Sequence, residues 1–488
     1  MAQTHSNSFS TRQPRVVIIG AGMSGLLMGI KLRQSGYDNF RIYEKAARVG
    51  GTWRENTYPN VACDVPAHSY AYSFAPNPEW NWRYGRGEEI QRYFERCEQK
   101  FGMTPFITFN CGIESARWED GRWNIRTTDG KEDWADVLVS AVGALHHPRY
   151  PDIPGVKNFS GAAFHTSCWD HGVNIRNKRV GVIGTGSTAA QVIPDIVDKA
   201  DEVTLFQRTA QWVFATPNKK YSESAKVRLR RHDWLARLKH WLGLHLFHMF
   251  FSTAVRGNQL TLWLLSRNVK SHLKTIIDPE LRRKMTPDYP PACKRLVISE
   301  DFYPAIQKEN VEVVTDAIDS IVPQGVRLKN GRVVELDILV YSTGFWPYKT
   351  SVNVTGENGV KLDELMAGSP LTYRTIAIPG FPNYFTLFGP YSPIGNNSII
   401  ENSELQAGYV LECLELIKSG KVKSMSPRMD VALRMKEEMR KGMKGTVWAS
   451  GCSSWYLDAN GDPIAYPYSL SRFTRDMSAP LLNEFIVT

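Results

Sequence analysis

The chain has 488 residues, 42% hydrophobic and 22% charged, which excludes a disordered chain and leaves room for two or three domains with substantial cores. Its formal charge of +10 and sequence pI near 9.1 suit nucleic acid, an anionic membrane surface or anionic cofactors, but Lys and Arg are scattered along the chain, so no nucleic acid is expected. Seven cysteines without a C-x-x-C pair, and a polar start over residues 1–13 without an apolar core, point to a reduced, cytoplasmic chain with buried thiols and a disordered tail rather than a targeting segment.

Val16 to Ile19 is an unbroken apolar run, as in a parallel strand buried on both faces, and Gly20, Gly22 and Gly25 then open a helix. In such a turn the first glycine permits the tight bend and the second lets a pyrophosphate reach backbone amides at the helix N-terminus. The third allows the helix to lie close on the strand. Glu44, after the next run Phe40 to Tyr43, is placed to accept hydrogen bonds from a ribose. Gly50 and Gly51 allow a further close backbone approach; beside them Thr52, Trp53 and Tyr70 are candidate cofactor contacts, Trp53 able to lie along a planar group. On its own, Asp64 reads as a turn or cap carboxylate.

From Trp123 the sequence W-N-I-R-T-T-D-G predicts a hairpin with a D-G turn, and A-D-V-L-V-S-A-V-G, ending in Gly143, a buried strand. A similar piece recurs from Glu335 to Gly344. The duplication predicts an α/β fold with two Rossmann-like dinucleotide-binding domains, each with a hairpin insert, in which residues 129–143 and 325–344 link one domain to the other.

The second signature follows Val180 to Ile183: Gly184 and Gly186 repeat the pattern, and Ala189 takes the third position. Thr185, Ser187, Thr188 and Gln191 surround this helix start as candidate phosphate contacts. At the end of Val203 to Phe206, where the first unit has Glu44, stand Gln207 and Arg208. A guanidinium there offers a fork of donors to a 2′-phosphate, which selects NADPH over NADH; a solvated surface arginine is the plainer alternative.

Residues 216–289 break the pattern with helix formers and aromatics and predict a helical insertion over the substrate side of the site. Trp241 to Val255 is almost uncharged, yet its fifteen residues fall short of the ~20 needed to span a membrane. An interfacial helix within 234–266 is the second reading. His245 and His248 lack a third ligand nearby and read as packed or surface side chains, so no metal is expected. Lys294 and Arg295, in A-C-K-R-L, read on their own either as functional cations or as a solvated pair. Beyond Gly389 and Pro390 a polar loop from Tyr391 to Asn397 supplies candidate pocket residues, Tyr391 and Asn396 chief among them; a helix over Glu404 to Ile417 and a tail Ser454, Trp455, Tyr456 follow.

Between the two signatures lies F-S-G-A-A-F-H-T-S-C-W-D, in which Phe159, Gly161, His165, Trp169 and Asp170 fill the pattern F-x-G-x-x-x-H-x-x-x-W-(P/D). This resembles the fingerprint of type I Baeyer–Villiger monooxygenases, within the class B flavoprotein monooxygenases. With G-G-T-W at 50–53 and C-K-R-L at 293–296, the resemblance runs over roughly residues 15–400. It implies an FAD-binding domain from 1–148 and 371–488, an NADP-binding domain from 149–215 and 290–370, and the insertion at 216–289. It also implies that Asp64 lies beside the flavin and pairs with Arg295 as the catalytic arginine. Lys294 would assist Arg208 at the 2′-phosphate; apart from the resemblance, Trp455 in the tail is a candidate to close over the nicotinamide. The implied reaction carries ketones to esters or lactones with O2 and NADPH through a C4a-peroxyflavin; related enzymes that oxidise sulfides or amines are the alternative. The fingerprint is expected to be a hinge-side linker, with His165 coupling cofactor binding to domain movement rather than acting as a base.

Overall fold

A computed structural model describes residues 12–395, 397–452, 457–462 and 464–488. Two five-stranded parallel sheets form its frame. The first runs Tyr384–Thr386, Val137–Ser140, Val16–Ile19, Phe40–Tyr43, Ile107–Thr108. The second runs Ala162–His165, Ile338–Tyr341, Arg179–Ile183, Glu202–Phe206, Val311–Val314. In each, the glycine-bearing strand is central and feeds a helix, Met23–Gln34 or Ser187–Ile196. Val16, Val17 and Ile18 are fully buried, as are Val182 and Leu205 in the second sheet. This burial on both faces is why these strands are continuous apolar runs. Gly20 and Gly184 both take positive φ, +96° and +115°, where the chain turns from strand to helix.

Each sheet carries an antiparallel meander. Ile113–Glu119, Arg122–Thr127 and Glu132–Ala135 form one, joined by Asn353–Thr355; Ile318–Val322, Gly325–Leu328 and Val333–Glu335 form the other. The segments read as interdomain links, 129–143 and 325–344, contain the sheet strands Val137–Ser140 and Ile338–Tyr341 themselves. The chain passes between the sheets just beyond them, and there His147–Pro148 pairs antiparallel with Phe345–Trp346. The Arg149 N–H donates to the Gly344 carbonyl at 2.9 Å beside this ribbon.

The fingerprint differs from its expected form as a linker. Ala162–His165 is the edge strand of the second sheet, in parallel register with Ile338–Tyr341. Gly161 enters it so close to Asp337 that a Cβ would lie 2.3 Å from that carbonyl oxygen and 2.8 Å from the Phe159 ring. His165, fully buried, ends the strand; its Nδ1 accepts from the Ser167 N–H at 3.1 Å, and its ring meets those of Tyr150 and Phe345 from the two crossing segments. Trp169 packs edge-on against Phe164, and Asp170 accepts from the Gly172 N–H at 2.8 Å.

Residues 216–289 are helical, chiefly Glu223–Arg231, Asp233–Phe247, Gln259–Leu273 and Pro279–Lys284. A π-helical turn, His248–Ser252, extends the second of them. His248 Nε2 lies 2.9 Å from Glu401 and His245 stacks on Trp241, so neither imidazole is turned toward the other's chemistry. The thiol expectation needs a correction: Cys293 and Cys452, 159 residues apart, form a disulfide, and Cys168 is exposed. The remaining four cysteines, Cys63, Cys97, Cys111 and Cys413, are buried.

Candidate active site

One cavity of about 690 Å3 opens where the glycine turns of both sheets meet the insertion. From the first sheet, Gly20, Gly22, Glu44, Gly51, Thr52 and Trp53 line it. Asp64 and Tyr70 add to that side, and Gly186, Ser187, Thr188, Gln191, Lys294 and Arg295 line the other. Phe247, Phe251 and Leu265 of the insertion supply an apolar wall.

Both helices that point at this space begin without a side-chain cap, at Gly22 and at Gly186. Their first N–H groups have no intrahelical partner and carry the positive end of the helix dipole, so each is a ready site for a phosphate. In front of Gly186 there is open space, with nothing within 4 Å of where a Cβ would stand, whereas Gly51 and Gly22 lie so close that a Cβ on Gly51 would be 3.1 Å from Gly22 Cα. Gly25 and Gly184 lie behind the cavity, each tightening the turn, and the Thr185 hydroxyl donates to the Thr209 carbonyl at 2.8 Å.

Glu44 is buried at the rim. Its Oε2 accepts from the Ala21 N–H at 2.8 Å, and Oε1 accepts from the Ala46 N–H at 3.0 Å and from Arg54 at 3.1 Å. Arg54 was not anticipated from sequence, since nothing local distinguishes it from a surface arginine. On the same side the Trp53 indole donates to the Tyr70 hydroxyl at 2.9 Å, and burial holds that phenol well above its ordinary pKa. Tyr70 is therefore a neutral, fixed partner that sets the indole plane.

Across the cavity Arg295 reaches Asp64, with Nε donating to Oδ2 at 3.1 Å and a second, closer contact from Nη2 to the same oxygen. The pair joins residues 231 apart in sequence and is only partly exposed, 34% and 20%. Gln191 ties the halves again: its side chain accepts from the Tyr58 hydroxyl at 3.0 Å and donates to the Ala62 carbonyl at 3.0 Å. Lys294 lies with its Nζ 4.3 Å from the Tyr289 ring centre. Desolvation lowers its pKa, and the charge of Arg208 lowers it further, against the opposing pull of Asp288. Arg208 is exposed and outside the cavity wall, yet near enough to be felt by Lys294; two cations converge on a place suited to an anion.

A sequence model of the "FMO-like: Flavin-binding monooxygenase-like" family matches residues 13–450. A Baeyer–Villiger monooxygenase of Pseudomonas aeruginosa is 38% identical over 93% of this chain and 87% of its own length. The chain belongs to this family. A monooxygenase of Mycobacterium tuberculosis is 41% identical over 97% of this chain and 96% of its own. The crystal structure of OTEMO in complex with FAD and NADP superposes with a TM-score of 0.87 at 25% identity, covering 98% of this chain and 100% of that one.

Within this flavin-binding monooxygenase, two buried polar groups facing the cavity lack a hydrogen-bond partner among the described residues: the whole side-chain amide of Asn397 and the Ser342 hydroxyl. An unpaired buried amide costs about 1–3 kcal/mol, so its presence marks a wall built for a polar ligand. Together with the two uncapped helix starts and the Gly22–Gly51 approach, the site fits two dinucleotides. Tyr391 does not belong to it. Its hydroxyl donates to the Pro370 carbonyl at 3.2 Å, and its ring faces a separate cavity of about 50 Å3 beside Tyr466 and Phe473. Ile394, Gly395 and Asn397 from the same loop do line the large cavity; Asn396, Ser454, Trp455 and Tyr456 lie outside the described residues.

Proposed function

We propose that this monooxygenase uses FAD, NADPH and O2 to convert ketones to esters or lactones, and that Arg295 is its catalytic cation and Asp64 the residue that positions it. The observation that carries the reading is the Asp64–Arg295 pair on the wall of a cavity with two uncapped helix starts. FAD, when bound and reduced by NADPH, supplies the activation of oxygen. The helix start at Gly22 binds one pyrophosphate and Glu44 a ribose; the start at Gly186, with Ser187 and Thr188, binds the other, while Arg208 and Lys294 take the 2′-phosphate. Phe247, Phe251 and Leu265 keep water from the reacting carbonyl.

A guanidinium stays charged when partly withdrawn from water, whereas an ammonium shifts its pKa more readily. Arg295 thus holds positive charge where the substrate carbonyl oxygen becomes negative, and Asp64, gripping two of its nitrogens through one oxygen, fixes the plane of that charge. The names of the relatives and the fingerprint Phe159 to Asp170 favour ketones over sulfides and amines.

The test is a panel of linear, cyclic, aryl and steroidal ketones beside a sulfide and an amine, with products rather than NADPH loss measured. Arg295→Ala should lower ester formation by about 100-fold or more while reduction of the flavin by NADPH persists. Ester formation at wild-type rate in that variant would overturn the assignment, and oxidation of the sulfide alone would select the other branch of the family.

A further inference from the structure

The insertion carries a second surface, used by neither sheet nor the cavity. Along Asp233–Phe247 the side chains of Trp234, Leu238, Trp241 and Leu246 are exposed, while Ala236, His240 and Leu244 face inward. Met249 continues the row, and on Gln259–Leu273 the exposed set is Leu260, Trp263 and Leu264, with Leu265 and Val269 buried. Trp234 is 62% exposed, Trp241 52% and Trp263 55%. Of the twenty large hydrophobic side chains exposed among the described residues, nine fall between 234 and 264. Single exposed leucines are ordinary; a set of nine on consecutive helical turns is the kind of surface that marks an interaction site.

Charge is segregated in the same way. Lys and Arg occur throughout the chain, but their excess over acid does not. Residues 216–289 hold 15 Lys and Arg against 5 Asp and Glu, a surplus equal to the +10 of the whole protein. Arg228 and Arg231 are exposed in the last turn of Glu223–Arg231, directly before the first exposed tryptophan, and Arg267 and Lys270 are exposed on the helix that carries Trp263.

We propose that this face docks on a bilayer surface containing anionic phospholipid, lying in the headgroup boundary without crossing it. No helix among the described residues is long and apolar enough to cross a membrane. Tryptophan has an apolar body and one N–H donor, which suits the boundary between acyl chains and water. Flanking cations add attraction to anionic headgroups, about fivefold in binding for each one close to the surface. A second copy of the chain would set the same surplus of positive charge against itself, so the charge pattern favours lipid over self-association. The face and the cavity are back to back: Phe247 and Leu265, on the inner side of the same helices, line the cavity wall.

Flotation of the FAD-loaded protein with vesicles of phosphatidylcholine, or of phosphatidylcholine with an equal part of phosphatidylglycerol, tests this. We expect about tenfold or stronger binding to the mixed vesicles at low salt, largely lost at high salt. The combined substitution Trp234→Ser, Trp241→Ser and Trp263→Ser should weaken that binding about tenfold or more, with flavin content and melting temperature kept as controls of folding. Should that variant fold poorly, Arg228→Glu with Arg231→Glu should remove the preference for the mixed vesicles. The proposal is overturned by equal binding to both vesicle types, by no binding to either, or by a concentration-dependent dimer in sedimentation that the tryptophan substitutions dissolve.

Discussion

The two sheets share one plan and differ at three equivalent places, and those differences separate what the fold needs from what each nucleotide needs. At the helix–strand contact the first unit has Gly25, where a Cβ would stand 1.8 Å from the Gly20 carbonyl oxygen. The second has Ala189, whose methyl is fully buried, so its helix leaves room for one more carbon. At the end of the neighbouring strand the first unit carries buried Glu44, held by two backbone N–H groups and Arg54; the second carries exposed Arg208 opposite Lys294. At the outer strand, Thr386 stands opposite Ser140 in the first sheet, and His165 opposite Tyr341 in the second. The close helix-to-strand approach at this third position is thus a property of one unit only, the acid-to-base exchange is the one that the proposed FAD and NADPH sites require, and the histidine marks the edge nearer the crossing segments.

The sharpest way to break the comparison is Gly25→Ala. With no space for the methyl, it should cost about 3 kcal/mol or more and leave the purified protein largely without FAD, measured by flavin absorbance and melting temperature. Normal flavin content would show that the helix can shift as its counterpart has done. Next in size is Arg208→Ala. Loss of a charge-assisted contact should raise KM for NADPH about 10- to 100-fold with kcat nearly unchanged, and leave NADH use as it was. The pH dependence sharpens it further. Lys294, desolvated and beside Arg208, loses its proton below the ordinary lysine range, so KM for NADPH should climb as pH rises toward ~10; removing Arg208 should move that climb to higher pH.

A smaller effect is expected at the outer strand. His165→Ala should lower stability by about 1–3 kcal/mol and the yield of product per NADPH consumed, with FAD content intact. Burial lowers the His165 pKa, the Gly344 backbone opposing, so the unfolded chain takes up this proton first on acidification. Stability in the native protein should therefore fall as pH drops below ~6.5, and the substitution should remove that portion of the loss. Loss of FAD with normal coupling would make the strand a brace of the flavin side instead. Least of all, Ala189→Gly should cost about 1 kcal/mol in melting experiments and leave KM for NADPH unchanged.

What could be seen in the sequence was what is fixed locally. Apolar runs buried on both faces, and glycines at the strand-to-helix turns, announce themselves within a few residues, so both signatures and the α/β plan were legible. Residues fixed by distant partners were harder. Arg54 looks like any surface arginine until Glu44 is beside it, and Cys293 and Cys452 give no hint of pairing across 159 residues. Tyr391 and Asn397 sit six residues apart on one loop, and only the backbone path decides that the first turns toward Pro370 and the second into the cavity. The strand Ala162–His165 is hidden for a related reason: four residues, two of them alanine and the last a histidine, carry little periodicity, and its place is set by the approach of Gly161 to Asp337.

The ribbon of His147–Pro148 and Phe345–Trp346 has a mechanical consequence. Two unpaired crossing segments would each bend and twist independently of the other. Laced together by backbone hydrogen bonds, they behave as a single strap, which resists shear and bends about one axis. A swing of one half over the other would bend this strap, and His165, with rings from both crossing segments against it, lies beside it.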